Sequence, residues 1–209
     1  THESNYFIYD ASGSVFTRCV LTGNPVTRSG VLSTAAWERA SPTMLVGCLV
    51  SGNSASDSGA ILSCSAASGG LTLVNTTVAN NSGRGISADA SSGYDAYLTM
   101  KNSIVYGNVL NGEPSDVTGA SQQKKIDHSC YPTAEPDDEN GNTAENPQFK
   151  GRGKTPYALK ASSPCLGAGD ASVWTADDID LLGHPRLRGR FVDMGCYECG
   201  SSGLLLMIK

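Results

Sequence analysis

The sequence predicts an all-β fold in which the chain coils into a solenoid of short strands. A phrase that ends in asparagine recurs four times, as RCVLTGN, GCLVSGN, NTTVANN and NSIVYGN, and successive copies lie 29, 28 and 27 residues apart. Glycine followed by apolar residues recurs at a similar interval, in GVLS, GAILS and GIS. Apolar and polar side chains alternate near these landmarks, as they do in half-buried strands. A repeat of about 27–29 residues is typical of stacked architectures.

Each turn is expected to contain three strands: the glycine strand, an apolar alternation and the asparagine phrase. Within one turn, Leu71 and Leu73 face one side, and Thr76 and Val78 take over after Asn75. We therefore expect a bend at Asn75 that puts both pairs on the same inner side of the coil, because asparagine tolerates the left-handed backbone region. The pairs equivalent to Leu71 and Leu73 are predicted to be Met44 with Val46, and Leu98 with Met100.

Columns of like residues should run along the solenoid, because stacked strands lie about 4.8 Å apart. One column is expected to be an asparagine ladder, in which each side-chain amide bonds to the next. Its members are Asn24, Asn53, Asn81 and Asn108. A second, inward column is expected to hold small residues, namely Cys19, Cys48, Thr76 and Ser103. The asparagine therefore recurs for a structural reason, at a corner where the chain turns once in every lap.

The repeat SGAILSCSAASGGLTLVNTTVANNSGRGIS carries a family resemblance. It resembles right-handed parallel β-helix proteins of the pectin-lyase-like kind, and in particular the rungs of bacterial surface proteins. That resemblance implies an extracellular or cell-surface location in a bacterium. The first residues already match the middle of a turn, so we expect further β-helix rungs of the parent chain upstream and treat them as a partner of this segment.

The chain is predicted to change character after the last asparagine phrase. Residues 1–131 are assigned to β-helix rungs, with a loop insertion at 109–125 and a last rung at 126–131. Residues 132–199 resemble the C-terminal module of bacterial β-helix proteins called a choice-of-anchor domain, on the segments ENPQF, SSPCLGAG and VDMGCYE. Such a module is expected to cap the open end of the coil, and 200–209 is expected to be a flexible tail. The predicted cap residues are Asp180, Arg186, Asp193 and Glu198, with Arg186 paired to Asp180 or Asp193.

Composition excludes several classes of partner. The formal net charge is −5 and no basic block is present, which argues against nucleic acid. No apolar stretch approaches the length of a membrane-spanning helix. The seven cysteines are an odd number, and those in the inward column are expected to act as small apolar fillers rather than as a disulfide.

The predicted function is a non-catalytic scaffold or adhesin-like segment that contacts polysaccharide or a cell-surface glycan. No catalytic residue and no cofactor are predicted, and calcium is the one ion considered, at Asp177, Asp178 and Asp180. The candidate glycan contacts are Trp37, Tyr94, Asp57 and Arg84. The alternative is part of a polysaccharide lyase or glycoside hydrolase, enzymes that need a base beside a neutralising group or paired acids at the scissile bond.

Overall fold

The structure is a computed structural model and describes residues 8–9, 13–26, 30–34, 41–55, 59–65, 70–89, 96–121, 123–134 and 139–199. Its strands are β1 (Ile8–Tyr9), β2 (Val15–Thr17), β3 (Val20–Thr22), β4 (Pro25–Val26), β5 (Leu32–Thr34), β6 (Thr43–Val46), β7 (Leu49–Ser51), β8 (Ser54–Ala55), β9 (Ala60–Ser65), β10 (Leu71–Val74), β11 (Thr77–Ala79), β12 (Arg84–Asp89), β13 (Leu98–Lys101), β14 (Ile104–Tyr106), β15 (Val109–Leu110), β16 (Glu113–Pro114), β17 (Val117–Thr118) and β18 (Lys124–Asp127). A short 3-10 helix, Ala171–Val173, follows in the second half.

The strands stack into three long sheets, and the predicted parallel β-solenoid is confirmed, with about three turns. The first sheet has the order β1-β5-β9-β12-β17, the second β2-β6-β10-β13-β18 and the third β3-β7-β11-β14, and all their pairings are parallel. Each turn passes through the three sheets in sequence. The three-strand unit predicted from the sequence is therefore correct.

The second sheet contributes a column of apolar side chains from alternate positions to the solenoid interior. Leu73 pairs in register with Leu45 and Met100, and all three are fully buried. The predicted inward positions Met44 and Val46 are wrong, because both side chains are only half-buried and face outward. The pairing places Leu71 beside Thr43 instead. A shift of one residue reverses every side chain of a strand, so the polar Thr43 takes the inward position.

Left-handed residues form two corners of every turn. The predicted bend at Asn75 is present, with φ 42°, and Asn102 repeats it with φ 51°. Arg18, Gly47 and His128 occupy the same corner, which lies between the second and third sheets. At the other corner the left-handed residue is the one before each ladder asparagine: Gly23, Gly52, Asn80 and Gly107. The ladder asparagine therefore follows the turn and does not itself adopt the left-handed conformation.

The asparagine ladder is continuous along this second corner. The side-chain amide of Asn24 donates to Asn53 Oδ1 at 2.9 Å, Asn53 to Asn81 at 3.0 Å and Asn81 to Asn108 at 2.7 Å. The ladder then ends on a carboxylate, because Asn108 Nδ2 donates to Asp116 Oδ1 at 2.7 Å. Burial raises the pKa of Asp116. Its role was not predicted from the sequence.

The predicted loop at 109–125 contributes strands to the solenoid. β15 and β16 form an antiparallel hairpin, and the two residues between them, Asn111 and Gly112, both have positive φ. An Asn-Gly pair is the preferred connection of such hairpins. β17 then joins the first sheet beside β12. Residues 109–125 therefore form part of a turn of the solenoid, with Asp116 near the middle of the segment, and not a loop that lies outside it.

The inward column of small residues is a second ladder of hydrogen bonds. Each backbone N–H bonds to the side chain one turn ahead, from Cys19 to Cys48 Sγ at 3.4 Å, from Cys48 to Thr76 Oγ1 at 3.3 Å and from Thr76 to Ser103 Oγ at 3.2 Å. Ser103 N–H continues the column to Ser129 Oγ at 3.1 Å, and Ser129 N–H to Asn142 Oδ1 at 2.9 Å. The column therefore continues into residues 126–131.

Residues 139–199, called here the flank segment, pack on the outer side of the third sheet. Ile104 on β14 packs with Leu159, Cys165 and Met194, and Leu49 on β7 packs with Tyr197. Residues 140–143 stack on the last turn of the coil, and the cap over its open end stays a prediction. The third sheet is apolar on both sides, since Val50 and Val105 face the interior while Leu49 and Ile104 face outward. An apolar outer side needs a covering layer.

Candidate functional site

The left-handed corner between the second and third sheets fastens the flank segment to the solenoid. Asn75 Nδ2 donates to the carbonyl of Asp193 at 2.7 Å, and Asn75 Oδ1 accepts from Trp174 Nε1 at 2.7 Å. Asn102 exchanges two hydrogen bonds with the backbone of Asp170, at 2.9 and 2.7 Å. The two corner asparagines also bond to each other at 3.0 Å. Asn75, which was predicted only to bend the strand, thus also holds the second half of the chain, together with Asn102.

A cleft of about 330 Å³ opens where this corner meets the flank segment. Arg18 and Gly47 line one wall, and Trp174, Asp177 and Ile179 line the other. A Cβ atom built on Gly47 would lie 3.2 Å from an Arg186 nitrogen and 3.4 Å from Arg18 Cγ. A side chain at position 47 would therefore crowd Arg186 and Arg18. We call this cleft the corner cleft.

The corner cleft combines an aromatic ring with exposed charges of both signs. Trp174 is half-buried, and its ring is fixed from two directions, by the bond from Nε1 to Asn75 and by the Arg186 guanidinium 5.4 Å from the ring centre. Arg18 and Asp177 are exposed. Asp178 Oδ2 accepts from the backbone N–H and the hydroxyl of Thr175, which lowers the pKa of Asp178. A rigid ring beside a few polar groups is a typical arrangement for recognising a small polar ligand.

Arg186 lies fully buried beneath the cleft and joins several parts of the flank segment. Its NH1 donates to Glu198 Oε1 at 3.0 Å and to the carbonyl of Gly195 at 2.9 Å, and its NH2 donates to the carbonyl of Cys196 at 3.1 Å. The predicted pairing of Arg186 with Asp180 or Asp193 is therefore wrong, and Glu198 is the partner.

The two aspartates predicted to pair with Arg186 organise the backbone instead. Asp180 accepts from the N–H groups of Leu182, His184 and Glu198, each at 2.8 Å. Asp193 accepts from the N–H groups of Gly167 and Cys199, each at 2.7 Å. Backbone donors satisfy a buried carboxylate without a second charge. All four predicted cap residues are thus buried structural groups, and they hold the flank segment together.

Glu198 makes the stability of the fold depend on pH. Burial, supported by the nearby charge of Asp193, raises the pKa of Glu198 from its ordinary value of 4.5 to about 7, although Arg186 opposes the shift. The folded state therefore retains a proton that the unfolded chain releases between these two values. We expect the free energy of unfolding to be about 1–2 kcal/mol larger near pH 5 than near pH 7.5.

Urea denaturation at the two pH values measures this effect, and Glu198→Gln is its matched control. The glutamine variant should lose most of the difference, because its amide does not titrate. The lowered pKa of Asp170 has the opposite effect, because it stabilises the fold at higher pH. That contribution is lost only below pH 3.8, outside the measured pH range. A wild-type protein that is equally stable at both values would contradict the assignment.

The aspartates predicted for calcium do not share one site. Asp177 and Asp178 line the corner cleft, whereas Asp180 is fully buried, with its carboxylate occupied by backbone donors. Within the described residues, no group of three histidine, cysteine, aspartate or glutamate side chains could hold a metal ion. The Asp180 carboxylate therefore has a structural role, as an acceptor of backbone hydrogen bonds.

Of the predicted glycan contacts, Trp37, Asp57 and Tyr94 lie outside the described residues. Arg84 is half-buried at the start of β12, in a sheet that contributes no residue to the lining of the corner cleft. The residues of the cleft itself were missed. Arg18 and Trp174 are far apart in the sequence, and no repeat or motif connects them. The one available signal was the aspartate pair at 177–178, which the sequence offered as a calcium candidate.

A cluster around Lys101 has the residue types of an acid–base site. Lys101 Nζ lies 2.6 Å from Asp170 and 3.3 Å from Asp127, and His128 Nδ1 lies 2.7 Å from Asp127. The bond to Asp170 is the main cause that raises the pKa of Lys101. A lysine that acts as a base must lose its proton near neutral pH, and this one retains it. The cluster therefore serves as an ionic link between β13 and the flank segment.

No family model, no curated protein and no solved structure matches the chain. The parallel solenoid and its asparagine ladder are thus established by the geometry alone. Among the described residues, no helix is long and apolar enough to span a membrane.

Proposed function

We propose that this chain is a non-catalytic β-helix segment of a secreted or cell-surface bacterial protein of the pectin-lyase-like kind. In this proposal it serves as a scaffold and contacts a polysaccharide or a cell-surface glycan through the corner cleft. The observation that carries the proposal is the arrangement of Trp174 between Asn75 and Arg186, with Arg18 and Asp177 exposed beside it.

The rigidity of the corner cleft supports binding rather than a purely structural use. The hydrogen bond and the guanidinium contact of Trp174 hold the ring before any ligand arrives, and a preorganised site loses less entropy on binding. The faces of a sugar ring are apolar and its edges carry hydroxyl groups. Trp174 and Ile179 offer surface for the faces, and Arg18 and Asp177 offer partners for the edges.

The chemistry of the ionisable groups described above supports a non-catalytic role. Lys101 stays protonated between two aspartates, and Asp180 and Asp193 are bound by backbone N–H groups. Each of these groups has a structural use in the fold. The rival proposal is a polysaccharide lyase or glycoside hydrolase, and it makes a different prediction in the experiment below.

The test incubates the full chain with a panel of acidic and neutral polysaccharides, with and without calcium. Binding is measured by calorimetry, lyase products by ultraviolet absorbance and hydrolysis by new reducing ends. We expect binding without turnover. Unsaturated products or new reducing ends would overturn the scaffold proposal, and an absence of binding to every glycan would remove the glycan contact.

Two substitutions connect the binding to the corner cleft. Arg18→Asn keeps a residue that tolerates positive φ, as Asn75 and Asn102 do at equivalent corners, and Asp177→Ala removes the exposed carboxylate. Each should weaken binding about fivefold to tenfold, the effect of about one lost hydrogen bond. Arg152→Ala, at an exposed position outside the cleft lining, is the control and should bind as the wild type does. Equal binding by all variants would place the glycan elsewhere.

A further inference from the structure

Two buried cysteines meet where the last turn of the solenoid contacts the flank segment. Cys130 bridges Ile104 and Thr143 in parallel register, and its N–H donates to the carbonyl of Ser103 at 2.8 Å. Cys165 is held within the flank segment, where its carbonyl accepts from the N–H of Met194 at 3.0 Å. Both side chains have 0% exposure and belong to one apolar cluster with Ile104 and Met194.

The two thiols lie against each other inside this cluster. The contact with the Cys165 side chain is the largest cause that raises the pKa of Cys130, followed by burial. The Cys130 Sγ also lies 3.2 Å from the carbonyl of Glu145. The backbones on both sides are fixed by hydrogen bonds, so the contact follows from the docking of the flank segment.

We propose that Cys130 and Cys165 form an intramolecular disulfide that covalently joins the last turn of the solenoid to the flank segment. This inference is independent of the glycan proposal, because it depends only on the contact between two side chains. It also differs from the expectation that the cysteines act as fillers, which concerned the inward column.

The surroundings of Cys19, Cys48, Cys196 and Cys199 favour other roles, although Cys19 and Cys48 are also neighbours along their column. Cys48 Sγ donates to the carbonyl of Phe16 at 3.2 Å and Cys19 Sγ to that of Thr17 at 3.5 Å. In their column a threonine and serines hold the equivalent positions, so the thiols there substitute for hydroxyl groups. Cys199 Sγ bonds to the carbonyl of Leu159 at 3.3 Å. Cys196 packs with Leu49 and Tyr197 in a different cluster from Cys130 and Cys165.

The chemistry is thiol–disulfide exchange with a small-molecule disulfide, for which oxidised glutathione is the probe. The Cys130 thiolate attacks one glutathione sulfur, forms a mixed disulfide and expels one glutathione thiolate. The Cys165 thiolate then attacks Sγ of Cys130, forms the Cys130–Cys165 bond and expels the second. The two protein thiols are oxidised, oxidised glutathione is reduced to two thiols, and the two protons lost by the cysteines pass to the released thiolates.

The bond should form before the flank segment has finished docking. Exchange requires a thiolate and access for the oxidant, and both cysteines are fully buried in the folded chain. Folded, reduced protein should therefore react slowly, whereas protein refolded from denaturant in oxidised glutathione should acquire the bond. This order of events determines how the experiment is performed.

The test refolds the full chain in a glutathione redox buffer, alkylates the remaining thiols and maps the peptides without reduction. We expect one linked pair of peptides that contains Cys130 and Cys165, with the other five of the seven cysteines alkylated. Reduction should lower the Tm of the wild type by about 5–10 °C, the effect of opening a loop of about 35 residues in a chain of this size.

The control variant is Cys130→Ser combined with Cys165→Ser. Its Tm should not respond to reduction, whatever its absolute stability, because each protein is compared with itself. Seven alkylated cysteines after refolding, or a Cys19–Cys48 pair in place of the proposed one, would overturn the inference. The peptide map of the wild type decides the matter even where the variant does not fold.

Discussion

Replacing Arg186 by methionine should lower the free energy of unfolding by about 3–5 kcal/mol, the usual cost of breaking a buried ion pair. Methionine keeps an unbranched apolar side chain but removes the guanidinium group and its charge. Glu198 then loses its partner inside the protein and must remain a buried charge or take up a proton. The carbonyls of Gly195 and Cys196 also lose the guanidinium donors that they accept from. Urea denaturation near pH 7.5 measures the change.

A double variant separates the ion pair from packing. Arg186→Met combined with Glu198→Gln removes both charges and should recover at least half of the lost stability, because no uncompensated carboxylate remains. Arg152→Met, at an exposed position, should change the free energy by less than about 0.5 kcal/mol. A single Arg186→Met variant within about 1 kcal/mol of the wild type would show that Arg186 does not hold the flank segment.

Asn81→Leu should destabilise the fold by about 3–5 kcal/mol, because it interrupts the middle of the ladder. The Asn81 side chain accepts from the N–H and the side-chain amide of Asn53, and donates to the carbonyl of Val50 and to Asn108. Leucine has a similar volume and none of these groups. The polar atoms that remain are buried between neighbouring turns, where water cannot replace the lost bonds.

The same substitution at the edge of the ladder is the control. Asn24 is half-buried and gives the ladder one side-chain bond to Asn53, so Asn24→Leu should cost about 1 kcal/mol or less. Denaturant midpoints of the two variants can be compared directly, since the chemical change is identical. Equal costs at both positions would mean that the amide bonds add nothing to the stacking of the strands.

The repeating half of the fold could be predicted because its signal repeats. The period, the three strands of each turn, the ladder and the bend at Asn75 all follow from patterns that occur in several copies. The inward phase of β6 was predicted wrongly because a polar residue, Thr43, occupies the interior while Met44 and Val46 offer a convincing alternation of their own. Where apolar residues fall on the outer side of a strand, composition alone does not distinguish the two faces.

The flank segment and the corner cleft could not be predicted in the same way. The docking of residues 139–199 depends on contacts between distant parts of the chain, and it has no period. The outward apolar positions Leu49 and Ile104 did contain a signal, because each stands beside an inward apolar residue in its strand. Either of two adjacent apolar residues could fill one core, so the pattern does not by itself require a second layer. The apolar layer on the outside of the coil was therefore not predicted.

The flank segment contacts β7, β11 and β14 on three successive turns, through Leu49, Thr77 and Ile104. In a bare solenoid each repeat touches only its neighbours, so that repeats can unfold one after another from an end. A segment that crosses three repeats removes this independence, since no turn beneath it can open without losing the whole layer. The contacted part of the coil therefore behaves as a single cooperative unit, and the outer layer determines how many turns it includes.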